Sequence, residues 1–327
     1  MTLLRRLAAF ALLVAIPCAA VGPARADQYP SRSIRVIVPF GAGGVTDTVS
    51  RIVFEAMSAN LGQSMVVENK AGASGTIGTE FVAEAAPDGH TLLANDPSGP
   101  MATNVSLYPS RRFDPVARLT PIALMGRTGA VLVVSTQLGV KTVAEFVALA
   151  KQKPGELTYA STGSGTPGHL NVELFKRLVG IDATHVPYRL GTQAMTDLLS
   201  GRIGFWIIPL PSALKQIETG NLRVLAVAGE SRLPELPDVP TVKEAGFGDY
   251  DVSTVYALFA PAGTSPEIVG KLARATDTVL KIGAVRERLA RVGVQAESGS
   301  AERVAAILKQ KIPQWREVIE SAGIKGN

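Results

Sequence analysis

The feature that most constrains the fold is a regular alternation of short apolar, β-branched runs with segments of helical periodicity. Helix starts can be recognised between the runs: Thr142 and Glu145 form a capping box, and Ser265 precedes Pro266. Such alternation with nearly continuous apolar strands predicts an α/β protein with largely parallel sheets covered on both faces. The predicted strands are 34–40, 64–69, 91–96, 131–135, 157–161, 183–188, 203–208 and 223–228.

The division into domains is predicted from two long apolar segments, 121–134 and 253–263, because no Gly/Ser linker or charge run separates two halves. Each segment could be a strand shared between two sheets, so that the chain leaves a first domain, builds a second and returns. The prediction is two α/β domains joined by two crossing strands with a ligand cleft between them. Domain 1 would comprise 27–126 plus 253–327, and domain 2 would comprise 127–252.

The C-terminal segment predicts a long helix that closes domain 1. Val304, Leu308, Trp315 and Ile319 fall on one face of that helix, which predicts packing against the core. Pro313 predicts a kink or a restart within it.

The first 26 residues have the pattern of a secretory signal peptide. Arg5 and Arg6 precede an apolar run, and Ala24-Arg25-Ala26 is a small-residue cleavage signal. Pro17 interrupts the apolar run, which favours cleavage over a retained membrane anchor. The expectation is a signal peptide over 1–26, cleavage after Ala26 and a soluble protein in the periplasm.

Cysteine content and charge exclude several classes of function for the mature chain. Cys18, within the predicted signal, is the one cysteine, which excludes disulfides, thiolate metal sites and a cysteine nucleophile. Of the 33 basic residues, three lie in the signal, so 30 remain against 28 acidic ones. This balance provides no basic stripe for nucleic acid.

Glycine-rich loops follow predicted strands and open helices at 40–47, 69–78 and 161–169. Neither a dinucleotide fingerprint nor a phosphate loop fits the first of them. A strand, a glycine turn and a helix start direct free N–H groups and the positive end of a helix dipole to one place, which suits a carboxylate. Asp47 either caps its helix or binds the ligand through water.

Enzymatic chemistry has weak support. Of the three histidines, only His169 lies beside a candidate ligand loop, where ligand contact, a structural hydrogen bond and catalysis all remain open. No G-x-S-x-G elbow and no metal-ligand spacing occurs, so no cofactor is expected. Phe205 and Trp206 point to opposite faces of a strand, so one could line the pocket while the other packs in the core.

Several stretches together resemble the Bug-type extracytoplasmic solute receptors of tripartite tricarboxylate transporters. They are VPFGAGGVTD, VVENKAGASGTIGTEFVAEAAPDGHTLL, YASTGSGTPGHL, HVPYRLG, LRVLAVAGESRLPELPDVPTVKEAGF and FAPAGTSPEIV. The resemblance covers essentially the whole mature chain in order. It implies a periplasmic binding protein of the second structural type, which binds a small organic carboxylate.

The resemblance also implies which residues contact the ligand. They are Phe40, Gly43, Gly44 and Asp47 in the first loop and Ser161, Thr162, Gly163 and His169 in the second. The chain departs from the family at Leu190, Gly204 and Ile208, and Ile208 is expected near the cleft. An isoleucine there removes a partner for an ammonium group, so the hypothesis is a carboxylate with an apolar or aromatic body rather than a free amino acid.

The leading hypothesis is a non-enzymatic, monomeric receptor that delivers a carboxylate to the membrane subunits of a tripartite tricarboxylate transporter. One alternative is a periplasmic sensing partner of a membrane kinase. A less favoured alternative is an exported enzyme on the same fold.

Overall fold

The structure is a computed structural model that describes residues 29–325. The predicted signal peptide therefore lies outside the described residues. Ten strands are present: β1 Ile34–Val38, β2 Met65–Asn69, β3 Thr91–Asn95, β4 Leu119–Thr128, β5 Ala130–Ser135, β6 Thr158–Ser161, β7 Thr184–Pro187, β8 Phe205–Pro209, β9 Leu222–Val227 and β10 Thr254–Pro261. Every predicted strand is confirmed, with ends displaced by at most two residues.

The helices alternate with the strands as predicted. They are α1 Val45–Leu61, α2 Thr76–Ala83, α3 Pro100–Leu107, α4 Pro115–Arg118, α5 Val143–Gln152, α6 Pro167–Val179, α7 Gly191–Leu199, α8 Leu210–Glu218, α9 Pro266–Leu280, α10 Gly283–Arg291 and α11 Ala301–Ser321. The Thr142 hydroxyl caps α5 by accepting from the Glu145 N–H at 3.1 Å, and Ser265 caps α9. Helix α11 continues through Pro313, so the predicted restart does not occur.

Two five-stranded sheets form the framework. The first has the order β2-β1-β3-β10-β4 and the second the order β7-β6-β8-β5-β9. The chain passes directly from β4 in the first sheet to β5 in the second across Gly129, and it returns to the first sheet at β10. Two lobes, each built around one sheet, are therefore joined by crossing segments, as predicted.

The prediction of largely parallel sheets is wrong for the strands that enter each lobe. Strand β10 is antiparallel to β3 and β4, and β5 is antiparallel to β8 and β9. The remaining strand pairs are parallel: β1 pairs with β2 and β3, and β6 pairs with β7 and β8. The reason is geometric: a strand arriving from the opposite lobe enters its new sheet from the end at which the other strands finish.

This topology places the carboxyl ends of the outgoing strands toward the junction of the lobes. In open α/β sheets ligands bind outside those ends. Helix α11 lies at the same junction, where its buried residues Val304, Leu308, Trp315 and Ile319 join one hydrophobic cluster with residues of both sheets. The predicted packing role of this stripe is confirmed.

Candidate functional site

A cavity of about 790 Å³ lies between the two lobes. We call it the inner cavity. Its walls include Gly99 at the start of α3, Pro167 at the start of α6, Gly191 at the start of α7, Trp206 on β8 and Lys311 on α11. A volume of about 300–1,000 Å³ is typical of small-molecule sites.

The helices that begin at this cavity lack side-chain caps. The N-caps Gly99 of α3, Thr166 of α6 and Leu190 of α7 make no side-chain hydrogen bond to the first turn. The first N–H groups of a helix have no intrahelical partner and carry partial positive charge. At α3 the Met101 and Ala102 N–H groups already have backbone partners and Pro100 has no N–H, so it is the starts of α6 and α7 that favour an anionic ligand group in this cavity.

The indole of Trp206 adds a donor at the same place. Its Nε1 is buried, and no hydrogen-bond partner for it is present among residues 29–325. An indole N–H can only donate, and a buried donor without a partner costs about 1–3 kcal/mol. A Cβ built on Gly168, in the first turn of α6, would lie 3.2 Å from Nε1, so this donor is adjacent to the helix start.

A second cavity of about 330 Å³, the outer cavity, adjoins the first. Its walls include Phe40 from the first glycine loop and Ser164, Gly165 and Thr166 from the loop before α6. Thr103 and Pro167 line both cavities, so the two cavities are adjacent, and together we call them the cleft. The structure thus brings Phe40 close to the second loop, whereas Gly43, Gly44 and Gly163 line neither cavity.

In this structure Asp47 holds the first loop together. Its carboxylate accepts hydrogen bonds from the Gly43 N–H at 2.9 Å, Arg51 Nε at 3.0 Å and Asn69 Nδ2 at 2.9 Å. Burial acts to raise the pKa of this carboxyl, but the hydrogen bonds from Arg51, Gly43 and Asn69 hold it below its ordinary value. The helix cap itself is Gly44, and Asp47 lies within the first turn of α1.

The second loop is held by a similar local network. The Ser161 hydroxyl lies 2.6 Å from His185 Nε2, and the Gly165 N–H donates to His169 Nδ1 at 3.1 Å. The rings of His169 and His185 stack with centroids 3.9 Å apart, and burial lowers the pKa of His185 to about 4.

A serine beside a histidine raises the question of a nucleophile. Here the Ser161 side chain is fully buried and also bonds both the N–H and the carbonyl of Gly163. A hydroxyl enclosed in this way does not reach the cleft. The hydrogen bond between Ser161 and His185 therefore stabilises the loop. Thr162, the next residue, does line the inner cavity.

The residues of β8 divide between cavity and core. Trp206 and Ile208, which share one face of the strand, line the inner cavity, and Ile207 and Pro209 at the end of the strand also reach it. Phe205 is fully buried and contacts Tyr159 and Phe146. Gly204 instead packs on its neighbouring strand, since a Cβ there would lie 3.2 Å from the Thr158 carbonyl oxygen. Leu190 is 58% exposed.

Asp96, Lys311 and Trp315 are among the site residues that were not found from the sequence. All line the inner cavity. Asp96 accepts from the Ser98 N–H at 2.8 Å and the Ser98 hydroxyl at 2.6 Å, and burial raises the pKa of its carboxyl to about 6. Trp315 Nε1 donates to the Ser98 carbonyl at 2.7 Å.

The sequence does contain signals for these residues. Asp96 follows strand β3 at its carboxyl end, and ligands bind outside the carboxyl ends of strands in open α/β sheets. Lys311 lies on the apolar face of α11, between Leu308 and Trp315, where a charged side chain is out of pattern.

Residues 29–325 contain neither a metal-ligand cluster nor a membrane-spanning helix. No cluster of three or more His, Cys, Asp or Glu residues there could hold a metal ion. None of the helices in that range is sufficiently long and apolar to traverse a bilayer.

Comparison with known proteins identifies the family. Residues 49–324 match the family described as tripartite tricarboxylate transporter family receptor, TctC. Protein BugT of Bordetella pertussis is 35% identical over 325 residues, which cover 99% of each chain. A protein of R. palustris solved with adipate is 34% identical with a TM-score of 0.73, and the alignment covers 91% of this chain and 99% of that one.

A further solved structure, MatC from Rhodopseudomonas palustris with bound malate, is 33% identical with a TM-score of 0.70. Its alignment covers 89% of this chain and 100% of that one. These comparisons confirm the predicted fold, that of a periplasmic binding protein of this type. They also confirm the predicted resemblance to the Bug-type receptors. The chain belongs to the TctC family of tripartite tricarboxylate transporter receptors, the Bug-type solute-binding proteins.

Proposed function

We propose that this protein captures a small organic carboxylate in the periplasm and delivers it to the membrane subunits of a tripartite tricarboxylate transporter. The observation that carries the proposal is the convergence of two uncapped helix starts, those of α6 and α7, and the unpartnered Trp206 Nε1 on one cavity. The similar proteins solved with adipate and malate support a carboxylate as the ligand.

The strength of such a site can be bounded. Each hydrogen bond to a charged group contributes about 1.5–3 kcal/mol, and a sheltered helix start contributes up to about 2 kcal/mol. After the cost of association is subtracted, a few such contacts correspond to about micromolar affinity.

In this proposal the ligand is held by both loops. Phe40, Gly43, Gly44 and Asp47 would contribute the first, and Ser161, Thr162, Gly163 and His169 the second, with Ile208 on the cavity wall. Phe40, Thr162 and Ile208 line the cleft, which supports direct contact. Asp47, Ser161 and His169 have internal partners, which supports a role in shaping the loops that offer backbone N–H groups.

Transport would depend on closure of the two lobes and would involve no catalysis. The crossing segments at Gly129 and before β10 would act as hinges between domain 1 (27–126 plus 253–327) and domain 2 (127–252). A ligand that touches both lobes stabilises the closed state by its differential affinity for it. The protein would act as a monomer, exported through the predicted signal at 1–26, without a cofactor.

A thermal-shift screen tests the proposal. The purified protein is heated with mono-, di- and tricarboxylates and with the corresponding neutral amides. A ligand at a hundred times its Kd stabilises the folded state by about 2.7 kcal/mol, which corresponds to a rise in Tm of roughly 5 °C. A rise with at least one acid and none with its amide is expected; equal behaviour of acids and amides contradicts the proposal.

A further inference from the structure

Lys311 occupies an unusual position for a lysine. It lies on the buried face of α11 and lines the inner cavity, with 7% of its surface exposed. Lysine is almost never this buried unless its charge is compensated. Helix α11 packs on α3 and β4 of the first lobe, whereas Trp206 lies in the second sheet, so the two residues belong to different walls of the cavity.

The charge of Lys311 has no carboxylate partner among residues 29–325. Its Nζ donates to the backbone carbonyl of Asp251 at 2.6 Å. The Asp251 carboxylate is engaged by Arg127 at 2.9 Å. An ammonium group carries three donors, and a buried charge is costly unless it is paired and hydrogen-bonded. Burial lowers the pKa of Lys311 below its ordinary value, so the ammonium form, which has donors to spare, would be stabilised by an anionic ligand group beside it.

The nearby carboxyl of Asp96 is committed elsewhere. Its Oδ1 accepts hydrogen bonds from Ser98 and from the Val255 N–H, at 3.3 Å for the latter. Burial strongly disfavours its charged form. Asp96 thus helps to fix the β3–α3 loop and does not neutralise Lys311 by direct contact.

Part of the remaining wall of the cavity is apolar, although polar side chains such as Asn171 and Gln216 also line it. Met195, Leu199 and Ile208 form the apolar part, all from the second lobe. The inner cavity consequently presents one anion site at the start of α6, an ammonium group on the opposite lobe and an apolar patch on the second lobe. This arrangement is complementary to a molecule with two anionic ends and a hydrocarbon middle.

We propose that Lys311 determines specificity by binding the second carboxylate of an elongated diacid whose first carboxylate lies at Trp206 and the start of α6. The inference rests on the proposed function and adds to it the residue that selects a diacid over a monoacid. A diacid bound in this way contacts one lobe at each end, so it favours lobe closure, whereas a monoacid of equal length engages only the second lobe.

Calorimetric titration with matched ligand pairs tests the proposal. Adipate is compared with hexanoate and suberate with octanoate, using wild type, Lys311→Met, Lys311→Arg and the control Lys309→Met, which changes an exposed lysine of the same helix. The wild type should bind each diacid at least about tenfold more tightly than its monoacid, since a charge-assisted hydrogen bond contributes that much. Lys311→Met should abolish this preference with little effect on the monoacid, and Lys311→Arg and Lys309→Met should retain it.

Two results overturn the inference while leaving carboxylate binding intact. One is a wild type that binds carboxylates without preferring diacids. The other is a Lys311→Met variant that retains the diacid preference or weakens both members of a pair equally. Failure of every carboxylate to bind the wild type would instead contradict the proposed function. Melting temperatures of all variants establish that each is folded.

Discussion

The indole Nε1 of Trp206 lies against the first turn of α6, where a Cβ on Gly168 would approach it to 3.2 Å. The glycine leaves space for a donor that has no protein partner in the described part of the chain. Trp315, the other tryptophan of the sequence, also lines the inner cavity, but its Nε1 is satisfied by the Ser98 carbonyl. The Trp206 N–H is therefore available to a ligand, whereas the Trp315 N–H already has an acceptor in the protein.

Replacement of Trp206 by phenylalanine should weaken ligand binding without a comparable loss of stability. The variant removes a donor that has no protein partner, so we expect a carboxylate affinity lower by roughly 10- to 100-fold. Trp315→Phe breaks an existing hydrogen bond and should instead lower the free energy of unfolding by about 1 kcal/mol. Calorimetric titration and urea unfolding of both variants make the comparison; a Trp206→Phe protein with wild-type affinity contradicts it.

Asp47→Ala should destabilise the protein by about 2–3 kcal/mol at pH 7, because three donors to a largely buried carboxylate lose their acceptor. The pKa of Asp47 is lowered in the folded state, so its contribution is present above the ordinary value of 3.8 and is lost as the pH falls through the lowered one. The difference in urea stability between variant and wild type should shrink on acidification. A variant as stable as the wild type at pH 7 would show that the carboxylate does not anchor the loop.

Asp96 should give the opposite dependence on pH. Its pKa is raised from 3.8 to about 6 by burial, so the folded state favours the protonated form. This stabilisation is complete below about pH 3.8 and is lost as the pH rises through about 6, a change of about 3 kcal/mol. Asp96→Asn keeps an acceptor for Ser98 and removes the titration. Relative to that variant the wild type should lose stability in urea between pH 4 and 7; a constant difference contradicts the assignment.

Ile208 should disfavour free amino acids. The side chain presents an apolar wall in the inner cavity, and an ammonium group opposite it would lose water without gaining a partner. Succinate is expected to bind about 10- to 100-fold more tightly than aspartate, and Ile208→Asp should reduce that difference in affinity. Calorimetric titration of both ligands is the test. Equal affinities of the wild type for succinate and aspartate would refute the hypothesis.

The strands and helices could be predicted from the sequence because the signals for them are local. The β-branched run at 34–38 and the cap at Thr142 each act within a few residues. The direction of β5 and β10 could not be predicted in this way, because it depends on which lobe the chain comes from. The positions of the domain boundaries stay a prediction.

The site was only partly predictable for a related reason. The loops at 40–47 and 161–169 were recognisable from glycines and helix starts, and Phe40 and Thr162 do line the cleft. Whether a carboxylate such as Asp47 faces ligand or protein depends on Asn69, which is 22 residues away. Lys311 and Asp96 line the same cavity because the fold brings α11 next to the β3–α3 loop, and this contact between distant segments is not visible in the sequence.

Intrinsic tryptophan fluorescence tests the central claim most directly, because both tryptophans of the protein, Trp206 and Trp315, line the inner cavity. Titration with adipate, succinate and longer diacids should give a saturable change in emission for at least one acid, with half-saturation at about micromolar concentration. The neutral diamides should give no change. Emission that stays constant with every carboxylate, or that changes equally with the diamides, would contradict the claim that this cavity binds an organic acid.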